Sequence, residues 1–105
     1  MKRLKASDFP ALQRVFSGYL HEDFLDEYGS PAAALRAFQQ DADAAERLEF
    51  RTEAQRFLER TAPVEFKEVR AFAARLGCRW MPPSRTALVS LLAEATKLPP
   101  DDHEP

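Results

Sequence analysis

One cysteine, three glycines and two histidines in 105 residues are meagre holdings, and each scarcity closes off a class of protein. A lone Cys78 forms no internal disulfide and no cysteine-based zinc cluster, which fits a reducing compartment; its plain reading is a small buried hydrophobe near a helix end. Gly18, Gly29 and Gly77 stand apart from one another, so no glycine-rich loop is available to cradle a phosphate. The two histidines, His21 and His103, give an enzyme or a metal cage little to work with. No apolar run is long enough to span a bilayer, and the basic start from Met1 to Ser7 is not followed by a signal-peptide core. A cytoplasmic location is expected, with no membrane contact, no cofactor and no metal.

What is present is ample for a core. Apolar residues make up 45% and charged residues 30%, and eight Phe, two Tyr and one Trp supply large anchors. The expected architecture is all-α, a compact single-domain bundle of about four to six helices over residues 1–98. Residues 99–105, which lack apolar anchors, should form a flexible acidic tail that adds nothing to folding.

Periodicity places the helices. Phe9, Leu12, Val15, Phe16, Tyr19 and Leu20 trace one helical face, with Asp8 as N-cap and Pro10 in the first turn. The stretch HEDFLDEYG breaks the pattern and reads as an ordered loop or short helical turn pinned by Phe24, Leu25 and Tyr28. Ser30 and Pro31 start a helix to about Gln40 that buries Leu35 and Phe38. Asp41 to Arg60 shows two apolar sets, Ala45, Leu48 and Thr52, and Phe50, Ala54, Phe57 and Leu58; whether a break near Asp41 separates it from its predecessor stays open. Pro63 ends that helix, another carries Phe66, Val69, Phe72, Ala73 and Leu76, and Gly77 is its left-handed stop. After a connector containing Trp80, packed down or turned outward, Ser84 begins a last helix with Leu88, Leu91 and Leu92. The expected core is Phe9, Leu12, Phe16, Tyr19, Leu35, Phe38, Leu48, Phe57, Phe66, Val69, Phe72, Leu76, Leu88, Leu91 and Leu92.

Charge is unevenly distributed. Residues 21–50 net minus six, whereas residues 51–97 net plus four. An acidic stretch studded with aromatics has the composition of a protein-binding patch for a basic partner. The residues singled out are His21, Glu22, Asp23, Asp26, Glu27, Tyr28, Asp41, Asp43, Glu46 and Trp80. Their plainer roles are structural: Asp23 or Asp26 capping a helix, His21 at a boundary, Phe24 and Tyr28 in the core. His21, Glu22 and Asp23 are adjacent and point in different directions, which argues against a metal site, and nothing around Cys78 resembles an activating motif for a Cys–His pair. Arg51, Arg56, Arg60, Lys67, Arg70, Arg75, Arg79 and Arg85 are interleaved with Glu53, Glu59, Glu65 and Glu68 at spacings typical of solvated intrahelical pairs, so nucleic acid is not expected as partner.

The segment FPALQRVFSGYLHEDFLDEYGSPAAALRAF resembles the opening of one group of immunity proteins from bacterial contact-dependent growth inhibition systems. The positions carrying it are Phe9, Pro10, Leu12, Phe16, Gly18, Tyr19, His21, Asp23, Phe24, Tyr28, Gly29, Ser30, Pro31, Ala34 and Phe38. Leu76 and Gly77 followed by Trp80 and Pro82 resemble the family's C-terminal pattern. Two departures stand out: Leu91 and Leu92 replace the usual Trp-Leu pair, and Phe24 stands where tryptophan is common. The resemblance implies a small helical antidote, monomeric before it meets its target. It would bind and neutralise the C-terminal toxin domain of a large surface-exposed effector (CdiA-type), expected to be a nuclease as at least some such toxins are, without catalysis. The rival reading is a small helical regulator or adaptor binding nucleic acid or another protein.

Overall fold

Phe9 sits at the meeting point of three segments, its ring edge-on to Phe57 at 5.7 Å and to Phe72 at 5.8 Å, with Phe57 and Phe72 stacked at 6.1 Å. A second aromatic group, Tyr19, Phe38 and Phe50, continues the core, with Tyr19–Phe38 at 5.8 Å and Phe38–Phe50 at 5.1 Å. Phe50 and Phe57 are two turns apart on one face of the longest helix, which thereby joins the two groups into one continuous core.

The computed structural model describes residues 4–96, and among them all regular structure is helical. A 3-10 turn at Ala6–Asp8 leads into α1 (Pro10–Tyr19), α2 (Phe24–Tyr28), α3 (Pro31–Asp41), α4 (Ala44–Thr61), α5 (Phe66–Arg75) and α6 (Arg85–Ala95). Helix α1 packs on α3 and α4, and α3 also contacts α2 and α6. The Cα radius of gyration is 13.3 Å, as expected of one compact domain of this length. No helix among the described residues is long and apolar enough to cross a membrane. The expected 98/99 boundary and acidic tail lie outside the described residues.

Most boundaries follow local chemistry. Ser30 and Ser84 each accept a hydrogen bond from the backbone N–H three residues on, at 3.0 and 3.1 Å, and so cap α3 and α6. The break near Asp41 is real: Ala42 is extended, and Asp43 opens α4 with a capping box in which Asp43 and Glu46 bond each other's backbone at 2.8 and 2.9 Å. Gly77 closes α5 with φ of 99°, and an added Cβ there would lie 2.8 Å from Ser17 Cβ, so absence of a side chain also lets this loop touch α1.

Five expectations need correction. Asp8 does not cap α1; Phe9 holds the N-cap position, and the free N–H groups of Ala11 and Leu12 instead donate to Glu53 Oε1 of α4 at 2.8 and 3.0 Å. Glu53 is therefore buried, not one of a solvated intrahelical set. Leu48 is 55% exposed because Phe50, two residues on, is rotated by about 200° around the helix and only one of them can face inward. Leu25 is 60% exposed for a similar reason: Phe24 and Tyr28, four apart, share the inward face of α2. Tyr19 and Phe66, expected in the core, pack against it while staying partly accessible.

Four arginines of the second half, Arg56, Arg60, Arg70 and Arg85, are drawn into the fold. Arg56 donates to the Asp8 carbonyl at 2.8 Å, Arg60 pairs with the Asp8 carboxylate at 3.2 Å, and both guanidinium groups lie over the Phe9 ring. Arg70 donates to the Pro82 carbonyl at 3.2 Å. Arg85 closes the end of α4 by donating to the carbonyls of Thr61 and Val64.

Candidate functional site

The acidic segment wraps the C-terminal end of α1. Leu20 ends that helix, and its carbonyl accepts from Arg79 N–H at 2.8 Å, tying the Trp80 connector to the same end of the molecule. Trp80 itself is half-buried against the core, between the two orientations its sequence left open. His21 Nδ1 accepts from Asp23 N–H at 3.1 Å, so the ring proton sits on Nε2, which donates to Glu27 Oε1 at 2.7 Å. The histidine is thus a brace across α2, and its ring nitrogens are both occupied. Asp23 holds the N-cap position of α2 without a side-chain capping bond.

A second acidic group lies where α3 gives way to α4. Tyr19 O–H donates to Asp41 Oδ2 at 2.8 Å, and the Tyr19 ring lies 5.9 Å from that of Tyr28, so this tyrosine pair links the α2 acids to the α3–α4 corner. Burial, and then the hydrogen bond to Asp41, push the Tyr19 phenol up to about 12. Tyr28 is raised as well, by burial and then by Glu27 and Asp41. Arg47, a cation of this segment, turns inward and donates to the carbonyls of Gln39 and Ala42 at 3.0 and 2.6 Å, closing the end of α3.

Glu22, Asp23, Asp26, Glu27, Asp41, Asp43 and Glu46 are all exposed, while His21 and Tyr28 are half-buried. The structure brings His21 onto Glu27, and Tyr28 with Asp41 and Glu46 around Tyr19. Glu22 and Asp26 stand on the surface beside these groups without joining either. Asp43 and Glu46 each commit one carboxylate oxygen to the capping box and keep the other.

Between α1, α3 and α4 a cleft of about 230 Å³ opens, floored by Val15, Phe38 and Ala42 and edged by Tyr19, Asp41, Glu46 and Arg14. Sequence reasoning passed over Arg14 and Tyr19 as site residues. The available signal was Tyr19 itself, a hydroxyl-bearing aromatic on the last turn of an apolar helical face. No group of three His, Cys, Asp or Glu side chains among the described residues is placed to hold a metal ion. Cys78 is buried with its thiol pushed up to about 11, chiefly by desolvation, and Sγ lies 3.4 Å from the Trp80 carbonyl, the environment of a structural thiol and not of an activated nucleophile.

No curated protein and no solved structure matches the chain significantly. The family model described as CdiI immunity protein matches residues 8–95, a span that takes in all six helices. The early resemblance and this match agree, and the protein belongs to the CdiI immunity protein family of contact-dependent growth inhibition.

Proposed function

We propose that this protein, as a monomer in the cytoplasm of the producing cell, binds the C-terminal toxin domain of its cognate CdiA-type effector and neutralises it by occlusion. The partner surface is the acidic, aromatic end of the molecule: His21, Glu22, Asp23, Asp26, Glu27 and Tyr28 around α2, Asp41, Asp43 and Glu46 at the α3–α4 corner, and Trp80 beside them. The toxin is a nuclease, whose phosphate-binding cleft is basic. The observation that carries this reading is the exposure of seven carboxylates between residues 22 and 46, of which Glu27, Asp41 and Glu46 lie close to the half-buried rings of Tyr19 and Tyr28, while Arg47 is folded onto α3.

Such a surface needs no catalysis. Complementary charge steers a basic partner into encounter, at rates that reach the order of 10⁸–10⁹ M⁻¹s⁻¹ at low salt, and the aromatic anchors hold the complex once water is excluded. The test is replacement of Glu22, Asp23, Asp26 and Glu27 by lysine, followed by binding to the toxin domain encoded beside this protein and by a growth-protection assay. Loss of both is expected, with strongly salt-dependent association for the unaltered protein. Unchanged binding and protection would refute the proposed surface.

A further inference from the structure

Resting on that toxin-binding reading, we propose that the cleft between α1, α3 and α4 receives one arginine side chain of the partner. At about 230 Å³ it is smaller than the roughly 300–1,000 Å³ of small-molecule and cofactor sites, and it suits a single long side chain. Val15, Phe38 and Ala42 form an apolar floor for an aliphatic stem, and Tyr19 offers an aromatic wall for a flat guanidinium. Asp41 uses Oδ2 for the Tyr19 hydroxyl and keeps Oδ1; Glu46 uses Oε1 for the Asp43 N–H and keeps Oε2. Two carboxylates on different helices thus line the cleft, each with one oxygen outside these bonds. Arg14, the cation at its margin, pairs with Glu49 at 2.8 Å, so the cleft retains an excess of negative charge.

An apolar or acidic side chain entering here would strip water from Asp41 and Glu46 and give nothing back. A lysine would answer one carboxylate as a point charge, whereas the forked guanidinium answers both and stacks on the ring. The acceptors are also held in place before any partner arrives, Asp41 as the last residue of α3 and Glu46 within a capping box, which lowers the ordering cost of binding.

The variants Asp41→Asn and Glu46→Gln test this, because each keeps an oxygen for its internal hydrogen bond and removes only the charge. The double variant should melt close to the parent yet bind the neighbouring toxin domain at least about tenfold more weakly. One Arg→Ala change in the toxin domain should reproduce that loss without adding to it, and N-acetyl-arginine methylamide should shift the Tyr19 and Glu46 resonances more strongly than its lysine counterpart. Binding within about twofold of the parent, while lysine substitution on α2 abolishes it, would overturn the arginine proposal and leave the toxin-binding reading intact. Equal response to both small probes would overturn the preference for arginine. Failure of the parent protein to bind the toxin domain would remove both.

Discussion

Glu53 accepts the backbone N–H of Ala11 across 42 residues, and its carboxylate replaces the side-chain cap that α1 lacks. A buried charge is tolerable here because the same oxygen also takes the Leu12 N–H, leaving the positive end of a helix as its counterpart. Glu53→Ala should therefore cost about 2–4 kcal/mol, more than an ordinary cap, since it orphans two buried donors and opens a void. Glu53→Gln, which keeps an acceptor and loses the charge, should cost about half as much. Urea midpoints with an unchanged slope would check both.

Phe50 and Leu48 test the register of α4. Phe50→Ala removes a ring that meets Phe38 inside the core and should cost about 3–5 kcal/mol, whereas Leu48→Ala on the exposed face should stay within about 0.5 kcal/mol. Similar losses in thermal unfolding for the two variants would show that the inward face has been misassigned.

Gly29 and Gly77 both adopt positive φ, at 92° and 99°, yet their surroundings differ. Gly29→Ala pays only for the left-handed backbone, about 1 kcal/mol, because nothing lies near the added Cβ. At Gly77 the new atom meets Ser17 of α1, so Gly77→Ala should cost about 2–4 kcal/mol. Reversal of this order in melting experiments would contradict the close approach of the two segments.

Tyr19 links pH to stability at the alkaline end. The folded protein holds this phenolic proton more tightly than an unfolded chain, whose tyrosines ionise near 10, so its stabilising effect is complete below pH 10 and fades as pH rises toward 12. Phenolate absorbance should show one tyrosine titrating near 12. Asp41→Asn should lower that value without restoring the ordinary one, because burial is the larger cause.

Cys78 should be inert in the folded protein. With its thiol pushed up to about 11 and its side chain buried, almost no thiolate is present at neutral pH, and labelling by a disulfide reagent should follow unfolding. Rapid labelling under native conditions would place the residue elsewhere than in the core.

The helix ends were legible in the sequence wherever the deciding chemistry is local. Ser30 with Pro31, Ser84, Pro63 and Gly77 act on their own neighbours, and each ends or begins a helix as expected. The bonds that shape the surface were not legible, because Glu53 reaches across to α1 and Tyr19 reaches 22 residues to Asp41. Leu48 was misjudged for a different reason: α4 carries apolar residues on two faces, and only tertiary packing selects Phe50, Ala54 and Phe57. Within the candidate surface, the acidic composition was evident, while the cleft that organises Asp41 and Glu46 depends on three helices converging.

Helix α1 is pinned at both ends by carboxylates from other helices, Glu53 at its start and Asp41 at its last residue. A rod clamped twice has little freedom to swing, so the ground between its far end and the α3–α4 corner keeps one shape whether or not anything is docked there. A partner docking there, as proposed, would meet a preformed surface with no folding step to wait for.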